Sequence, residues 1–354
     1  MSITGNRGEW SETYAFLRLL AEGNLYAADE QLNRLGDLFF PIIRIIREEH
    51  EYHTNAKTSN IDIYYNGDKI ISIPTSKINI EAKKLFSDLS KRPAGKGSFS
   101  LPATESFVQS IYVSKLKARS TDKADLSVEI HDSQTGYQSV VGFSIKSDLG
   151  APPTLLNPGK TTNFVFEVVG LPTTEIARIN NINTSKKIID RMRAIRDKGG
   201  ELVFYKADSE KFEDNLVMID SQMSIIVAEM LKGFYCRRTK ECSKLAEEIA
   251  IINPLNRRKN FYTHNIKELL CAAALGMTPA AEWDGTYKAN GGYIIVKEDG
   301  DVVAYHIYNL AFFKDYLLRE TQLVQPSTTR YEYCSLYQEN GKIYIKLNLQ
   351  IRFL

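Results

Sequence analysis

An aspartate and a lysine on two neighbouring segments are the first residues of this sequence that could perform chemistry together. Residues 125–130 are rich in β-branched side chains and alternate in polarity, which predicts a strand, and residues 140–147 predict a returning strand. Asp-Ser-Gln-Thr-Gly between them is typical of a turn. Antiparallel pairing would place Asp125 opposite residue 144 or 145, so that Asp125, Ser144 and Lys146 crowd one face. Charged side chains in strands that look buried cost free energy, which indicates a functional role.

These three side chains suit the hydrolysis of a phosphodiester, which needs a divalent cation, a positioned water and neutralisation of charge at phosphorus. Asp125 would supply a hard oxygen ligand of the kind that Mg²⁺ prefers. Lys146 would orient the water, help to deprotonate it or stabilise the phosphoryl charge. Many nucleases of the PD-(D/E)xK class carry an Asp on one strand and an acid-x-Lys on the next, and here Ser144 occupies the place of the acid.

The elements around this hairpin are predicted to be both helices and strands. Further β-hairpins are expected where Asn-Gly pairs occur, at 66–67 and 340–341. Strands are also predicted at 164–170, 291–297 and 302–308, and helices at 9–22, 38–51, 76–90, 102–117, 186–198, 215–232, 266–276 and 309–320. We therefore expect an α/β fold, and the likeness of the Asp…Ser-x-Lys pattern to that class implies a PD-(D/E)xK nuclease-like mixed β-sheet flanked by helices, with additional helical and β-hairpin elements. We expect residues 1–205 to form the catalytic core with its N-terminal helices. Residues 206–354 would form a helical and β-hairpin region that packs on the core and serves DNA binding or dimerisation, with a soft boundary.

Composition narrows the class of protein. The 354 residues are 43% hydrophobic and 25% charged, as in ordinary globular proteins, and the net charge of +2 identifies no partner by itself. Four irregularly spaced cysteines argue against a disulfide framework and for a reducing compartment. No stretch approaches the roughly 20 apolar residues of a membrane span, and the first residues lack the features of a signal peptide. We therefore expect a cytoplasmic protein without a membrane partner. The absence of a GxxxxGK[ST] motif argues against an ATP-driven enzyme.

Three segments could contact nucleic acid. The helix at 186–198 holds six basic and two acidic residues, and Arg191 and Arg193 are its candidates, although a solvated helix face would look the same. The segment 253–265 is predicted to be a contact loop, because Arg reads guanine edges and Asn reads adenine edges. An irregular loop after the hairpin carries side chains suited to phosphate or sugar contacts. The candidates in the last two segments are Asn256, Arg257, Arg258 and Lys259, and Lys160, Thr161 and Asn163.

Longer stretches of the sequence are more specific than any of these patterns. They are GEWSETY at 8–14, LYAAD at 25–29, VGFSIKSDLGAPPTLLN at 141–157, TTNF at 161–164 and KLNLQIRF at 346–353. Together they resemble the HpaII family of type II restriction endonucleases over essentially the whole chain. The resemblance implies Mg²⁺-dependent cleavage of double-stranded DNA within a short palindrome, CCGG for the family's namesake. It also implies a methyltransferase that protects the host, and a palindromic target suggests a homodimer.

The resemblance also implies roles for residues. Asp125 corresponds to the metal-binding aspartate and Lys146 to the catalytic lysine, whereas Ser144 leaves one metal-side carboxylate missing. Several restriction enzymes with Ser-x-Lys recruit a glutamate from a following helix, but no Glu lies 10–16 residues after Lys146 here. We therefore expect Glu12 of the first helix to be the second metal ligand, with Glu9 next and Glu129 or Glu167 behind. The alternative for Glu12 is an acid that merely stabilises the positive end of its helix.

Three hypotheses follow from the sequence. The first is a sequence-specific DNA endonuclease, which cuts CCGG or, as a family member with a different recognition sequence, another site. The second is a DNA-binding protein whose nuclease site has degenerated, which Ser144 makes conceivable. The third is a nuclease of another class, acting in repair or on RNA.

Overall fold

The computed structural model describes residues 3–29, 31–92, 97–116, 124–131, 136, 138–150, 152–306 and 310–354. The helices are α1 (Arg7–Glu22), α2 (Thr75–Ser90), α3 (Pro102–Ser110), α4 (Glu175–Asn180), α5 (Lys187–Asp197), α6 (Glu210–Val217), α7 (Met223–Lys232), α8 (Cys242–Ile252), α9 (Lys259–Leu275), α10 (Leu310–Arg319) and α11 (Thr328–Tyr331). A 3₁₀ turn covers Lys160–Thr162 and a π-helical turn covers Gly233–Arg237.

The strands are β1 (Thr4–Gly5), β2 (Asn24–Ala28), β3 (Arg34–Arg47), β4 (His50–Asn55), β5 (Asn60–Tyr65), β6 (Asp68–Pro74), β7 (Phe99–Ser100), β8 (Leu126–His131), β9 (Gln138–Ser147), β10 (Thr154–Leu156), β11 (Asn163–Val169), β12 (Glu201–Ala207), β13 (Gly292–Val296), β14 (Val302–His306), β15 (Thr321–Leu323), β16 (Leu336–Glu339), β17 (Lys342–Asn348) and β18 (Ile351–Phe353). The mixed α/β class predicted from the sequence is therefore confirmed.

The chain divides into two compact units, each assembled from two segments. The first unit comprises Met1–Pro153 and Tyr287–Phe313, and the second comprises Thr154–Thr286 and Lys314–Leu354. The assignment of catalysis to 1–205 and of DNA binding or dimerisation to 206–354 concerns function and stays a prediction.

A nine-stranded sheet forms the centre of the first unit. Its order is β2-β14-β13-β9-β8-β3-β4-β5-β6, and an additional pairing of β2 with β3 closes the first six strands into a small barrel. Most neighbouring pairs are antiparallel, but β13 pairs in parallel with β9, and β14 with β2. The strands that carry Asp125 and Lys146 are thus part of a closed ring, whose strands have no free edge between them.

The long strand β3 makes this closure possible, because its first half pairs with β2 and its second half with β8 and β4. The predicted helix at 38–51 is therefore wrong. A run such as Phe39-Phe-Pro-Ile-Ile-Arg-Ile-Ile fits both the helical and the strand period, and pairing with β8 decides between them. Pro41 was the available signal, since a proline inside a helix removes a hydrogen bond and clashes with the preceding turn.

Helix α1 supplies much of the first unit's core and contacts β9 and α2. Asn6 caps it: the Asn6 side chain accepts from the Glu9 amide, and the Glu9 carboxylate accepts from the Asn6 amide, which is a capping box. Trp10 is fully buried, and Phe16 packs edge-on against Tyr52 with ring centroids 4.9 Å apart. The predicted helix over 9–22 is confirmed, and its rigid packing fixes the direction of its polar side chains.

The second unit holds a four-stranded antiparallel sheet, β12-β11-β17-β16, and a three-stranded one, β10-β18-β15. The predicted hairpins at Asn66-Gly67 and Asn340-Gly341 are both present, and all four turn residues have positive φ. The helix predicted at 215–232 is instead two helices, α6 and α7, and α3 ends at Ser110 rather than near 117. Within the described residues, no helix is long and apolar enough to cross a membrane.

Candidate active site

Strands β8 and β9 form the hairpin that the sequence predicts. Leu126 pairs with Phe143, so the same register continues to Asp125 opposite Ser144. The Asp125 amide donates to the Phe143 carbonyl at 2.8 Å, which fixes the backbone at that end of the hairpin. Most of the predicted turn, residues 132–135 and 137, lies outside the described residues.

The Asp125 carboxylate is held by β9. Its Oδ2 accepts hydrogen bonds from the Ser144 hydroxyl at 3.0 Å and from the Ile145 amide at 2.7 Å. Ser144 is buried. Because both bonds fall on Oδ2, the other oxygen of Asp125 has no hydrogen-bond donor within the described part of the chain. Ser144 therefore orients the carboxylate with one oxygen left for a ligand.

Lys146 follows two residues later on the same face of β9. Its Nζ lies 5.3 Å from the centroid of the Tyr293 ring, a cation–π distance. Tyr293 belongs to β13, which runs parallel to β9 and pairs with it through Tyr293 and Ser144. The closed ring thus supplies the aromatic surface along which the ammonium is placed.

Glu12 of α1 completes this cluster of charges. Its Oε2 is buried and has no hydrogen-bond partner within the described residues. Burial raises the pKa of Glu12 to about 8, and the negative charge of Asp125 contributes in the same direction, while the charges of Arg47 and Lys146 oppose it. A carboxylate placed this way needs a cation to be stable in its ionised form.

Arg47, at the end of β3, is a buried cation beside these acids. Its Nη2 donates to the carbonyls of Lys115 at 2.8 Å and Leu116 at 2.7 Å, and its guanidinium lies 5.1 Å from the centroid of the Phe16 ring. Burial lowers the pKa of Arg47, and the charge of Glu12 is the largest influence in the opposite direction. Two acids and two bases therefore interact here: Glu12, Asp125, Arg47 and Lys146.

The other acids considered as metal ligands have different partners. Glu9 caps α1 through the Asn6 amide. Glu129 is ion-paired with Arg44. Glu167 is ion-paired with Lys342 in the second unit. The electrostatic neighbours of Asp125 therefore single out Glu12 among these four.

The cluster fits a divalent cation such as Mg²⁺. An unpartnered buried oxygen of Glu12 and a free oxygen of Asp125 are both hard carboxylate donors. Among the described residues, no group of three or more His, Cys, Asp or Glu side chains could hold a metal. A cation bound by these two carboxylates would therefore take its remaining ligands from water or from a substrate phosphate, as Mg²⁺ commonly does.

The predicted DNA-contact loop lies between α8 and α9 in the second unit. Asn256, Arg257, Arg258 and Lys259 are all exposed, and Asn256 has a left-handed backbone with φ of 50°. Lys259 already begins α9, so the contact segment is a short loop joined to a helix N-terminus. Arg257 lies 6.0 Å from the centroid of the Phe261 ring and remains accessible.

Several other candidate contacts are occupied by the protein itself. Arg191 is buried, and its guanidinium donates to the carbonyls of Asn180, Ile182 and Cys334 and to the Ser335 hydroxyl. Arg191 is therefore not available to contact DNA, contrary to the expectation from the sequence.

Candidate contacts in the loop before β11 also have partners within the protein. Asn163 is buried and bonded to the Tyr331 carbonyl and to Asn348. Lys160 is ion-paired with Glu332, although both side chains are exposed. Thr161 is half-buried in the 3₁₀ turn. By contrast, Arg193 on α5 is mostly exposed, with Asp190 3.9 Å away.

The sequence did not identify Arg47 or Tyr293 as members of the cluster. Arg47 looked like an ordinary polar residue at the end of an apolar run, and Tyr293 like a core aromatic. Only the pairing of β3 with β8 and of β13 with β9 brings them to the hairpin.

Comparison with known proteins identifies the class to which this arrangement belongs. The family described as HpaII restriction endonuclease matches residues 6–353, and the chain belongs to that family of type II restriction enzymes, which act on DNA. The chain is 40% identical over 362 aligned residues to the type II restriction enzyme HpaII of Haemophilus parainfluenzae, and the alignment covers 99% of each chain. No solved structure matches the chain.

Proposed function

We propose that this enzyme cuts both strands of DNA at a short palindrome, CCGG, by Mg²⁺-dependent hydrolysis at Glu12, Asp125 and Lys146. The observation that carries the proposal is the buried, unpartnered Oε2 of Glu12 in the electrostatic field of Asp125 and Lys146. The site is then of the PD-(D/E)xK type, with the strand acid replaced by a glutamate from α1. The target sequence is carried over from the likeness to the family's namesake.

Each side chain has a distinct task in this proposal. Asp125 and Glu12 would hold Mg²⁺, which when bound neutralises charge on the phosphate and acidifies a water. Lys146 interacts electrostatically with Glu12. It would orient the attacking water or stabilise the charge that develops on the phosphoryl oxygens. Ser144 is a positioning residue, because its hydroxyl holds Oδ2 of Asp125. The positive charge of Arg47 favours the ionised form of Glu12.

The exposed loop of Asn256, Arg257, Arg258 and Lys259 would bind DNA, with Arg193 as a further contact. A homodimer would match the symmetry of a palindromic site. A methyltransferase that modifies the same sequence is the expected functional partner, because an unprotected host chromosome would be cut.

Cleavage of defined duplexes tests this function. The substrates are one duplex with a single CCGG and a second duplex with that site changed to CCCG, each incubated with Mg²⁺ or with EDTA. Paired fragments from the first duplex alone, and only with Mg²⁺, are expected. A sequence-independent smear, or binding without any cutting, would contradict the proposal.

Substitutions then test the site. Asp125→Asn and Lys146→Ala are each expected to lower the cleavage rate at least about 100-fold, since each removes a charge that acts on the transition state. The matched controls are Asp37→Asn and Lys83→Ala, which alter exposed residues of the same unit and should cut normally. Near-normal cutting by either site variant would show that the site is elsewhere.

A further inference from the structure

A cleft lined with basic residues lies in the second unit, and of these residues the proposed function uses only Arg193. Two adjoining cavities, of about 270 and about 440 Å³, share Ile189, Tyr235 and Arg238 in their walls. They are bounded by α5, by the π-helical turn at Gly233–Arg237 and by residues 322–325. We call this feature the basic cleft, and its basic residues are Arg193, Arg196, Lys232, Arg238 and Lys240.

The charge of the basic cleft is only partly compensated. Its walls carry those five basic residues and one acid, Glu201. Three of the five have acidic partners: Lys232 pairs with Glu229 at 2.8 Å, Arg196 with Asp197 at 3.6 Å and Arg193 with Asp190 at 3.9 Å. Arg238 and Lys240 are exposed and have no hydrogen bond or ion pair from their side chains within the described residues. Two neighbouring cations without partners favour the binding of an anion, because in its absence they repel each other.

The backbone at Arg238 gives an independent indication. Arg238 ends the π-helical turn with φ of 72° and ψ of 22°, and its amide donates to the Gly233 carbonyl. This left-handed conformation usually belongs to Gly or Asn and costs other residues about 1–2 kcal/mol. Isolated π-helical turns are also frequent at functional sites. Arg238 therefore occupies a position where glycine would be less strained, and its guanidinium has no hydrogen bond or ion pair within the described residues.

The walls of the basic cleft indicate an extended ligand. The cationic side chains come from separate elements, α5 and the segment 238–240, and are exposed rather than gathered around one enclosed point. Between them lie apolar side chains, including Ile189 and Leu323, and the amides of Gln322 and Gln325. A chain of phosphates separated by deoxyribose rings presents the complementary alternation of charged and apolar surface.

We infer that the basic cleft binds the sugar-phosphate backbone of duplex DNA, with Arg238 and Lys240 each contacting a phosphate. This inference rests on the proposed function only in taking DNA as the substrate, and it does not depend on how the phosphodiester is cut. The basic cleft is then a second DNA-binding surface, formed by other residues than the loop at 256–259.

The substitution Arg238→Gly separates binding from folding. Glycine adopts the left-handed backbone without strain, so the variant should be at least as stable as the wild type in urea. Each lost phosphate contact removes about 0.9 from the slope of log affinity against log salt, which corresponds to about an eight-fold loss of affinity at 0.1 M salt. Arg238→Gly with Lys240→Gln should lose roughly 60-fold and about 1.8 of slope. Fluorescence anisotropy of the full chain with a labelled CCGG duplex in EDTA measures both.

The matched control is Lys211→Gln, which removes an exposed lysine of the same unit outside the basic cleft. It should leave affinity and slope unchanged. If Arg238→Gly binds DNA with the affinity and slope of the wild type, the inference is wrong.

Cys236 provides a direct report on occupancy, because its thiol lies in the wall of the basic cleft. The other three cysteines are buried, so a maleimide should label Cys236 first. A saturating duplex in EDTA is expected to slow this labelling, and the effect should be lost in the double variant. Protection by inorganic phosphate at equal phosphate concentration, with none by duplex, would overturn the inference in favour of a small-anion site.

The outcome can be separated from that of the proposed function. Asp125→Asn should retain both the duplex affinity and the protection of Cys236 while losing cleavage. If Asp125→Asn cuts normally but Arg238→Gly still loses affinity, the nuclease assignment fails and the basic cleft stands.

Discussion

Replacement of Glu12 by glutamine should make the metal-free enzyme more stable while abolishing its cleavage of DNA. Glutamine keeps the shape of the side chain and removes its charge, so the buried site no longer holds an acid that needs a cation. Most point substitutions destabilise a protein. A gain in stability would identify Glu12 as a residue strained by its own surroundings.

The size of the gain follows from the pKa of Glu12, which the structure raises from 4.5 to about 8. The unfolded chain loses this proton near pH 4.5, whereas the folded protein keeps it up to about pH 8. Stability from this group is therefore fully present below pH 4.5 and is lost as the pH rises towards 8. At pH 7 the loss is at most about 3 kcal/mol, and at pH 5 it is below about 1 kcal/mol.

Urea unfolding in EDTA at pH 5 and at pH 7 measures this difference. Glu12→Gln should exceed the wild type at pH 7 and approach it at pH 5. Adding Mg²⁺ at pH 7 should then stabilise the wild type and leave the variant unchanged. Glu298→Gln, at an exposed position of the same unit, is the control and should follow the wild type throughout.

Two results would refute this reasoning. A Glu12→Gln variant no more stable than the wild type at pH 7 would show that the carboxylate is not destabilised by its surroundings. Equal stabilisation of both proteins by Mg²⁺ would show that the ion binds without Glu12.

Two further outcomes are expected. Ser144→Ala removes a hydrogen bond to Asp125 worth about 1 kcal/mol, so the single-turnover cleavage rate should fall about five-fold at unchanged DNA affinity; an unchanged rate would remove Ser144 from the site. Arg191→Met leaves several backbone carbonyls without a donor and should cost about 3 kcal/mol of unfolding free energy, while the salt dependence of DNA binding stays the same. A shallower salt slope in Arg191→Met would restore Arg191 as a DNA contact.

The hairpin of β8 and β9 could be predicted from the sequence because its signals lie within one short segment. Alternation along 125–130 and 140–147, with turn residues between them, sets the pairing that places Asp125 opposite Ser144. The position of Glu12 followed from elimination rather than from geometry, since no acid occurs where related enzymes would place one. The closeness of Glu12 to Asp125 depends on the packing of α1 against β9, which no local pattern encodes.

Non-local pairing explains the errors. The run around Ile42 was assigned to a helix because its partner strand, β8, lies more than 80 residues away in the sequence. Arg191 was expected to face DNA because it shares a helical stripe with Lys187 and Lys198. A helical wheel does not show that this stripe faces the carbonyls of Asn180 and Cys334.

Arg238 was overlooked for a different reason. It lies in a short basic stretch between Cys236 and Cys242, and no pattern in the sequence distinguishes it from the neighbouring basic residues. Its left-handed backbone, and the lack of a partner for its guanidinium, are properties of the folded chain alone.

The six-stranded ring also limits how early during synthesis the first unit can complete its fold. Strand β2, at residues 24–28, must pair with β14, at residues 302–306, and β13 must lie beside the strand that carries Lys146. Contacts between such distant segments form slowly, because the chain must lose the entropy of a long loop before the contacts can stabilise it. A chain emerging from the ribosome cannot close the ring until residue 306 of its 354 residues has been made. A chain that ends before that point lacks β14 and cannot close the ring that holds the strand with Lys146.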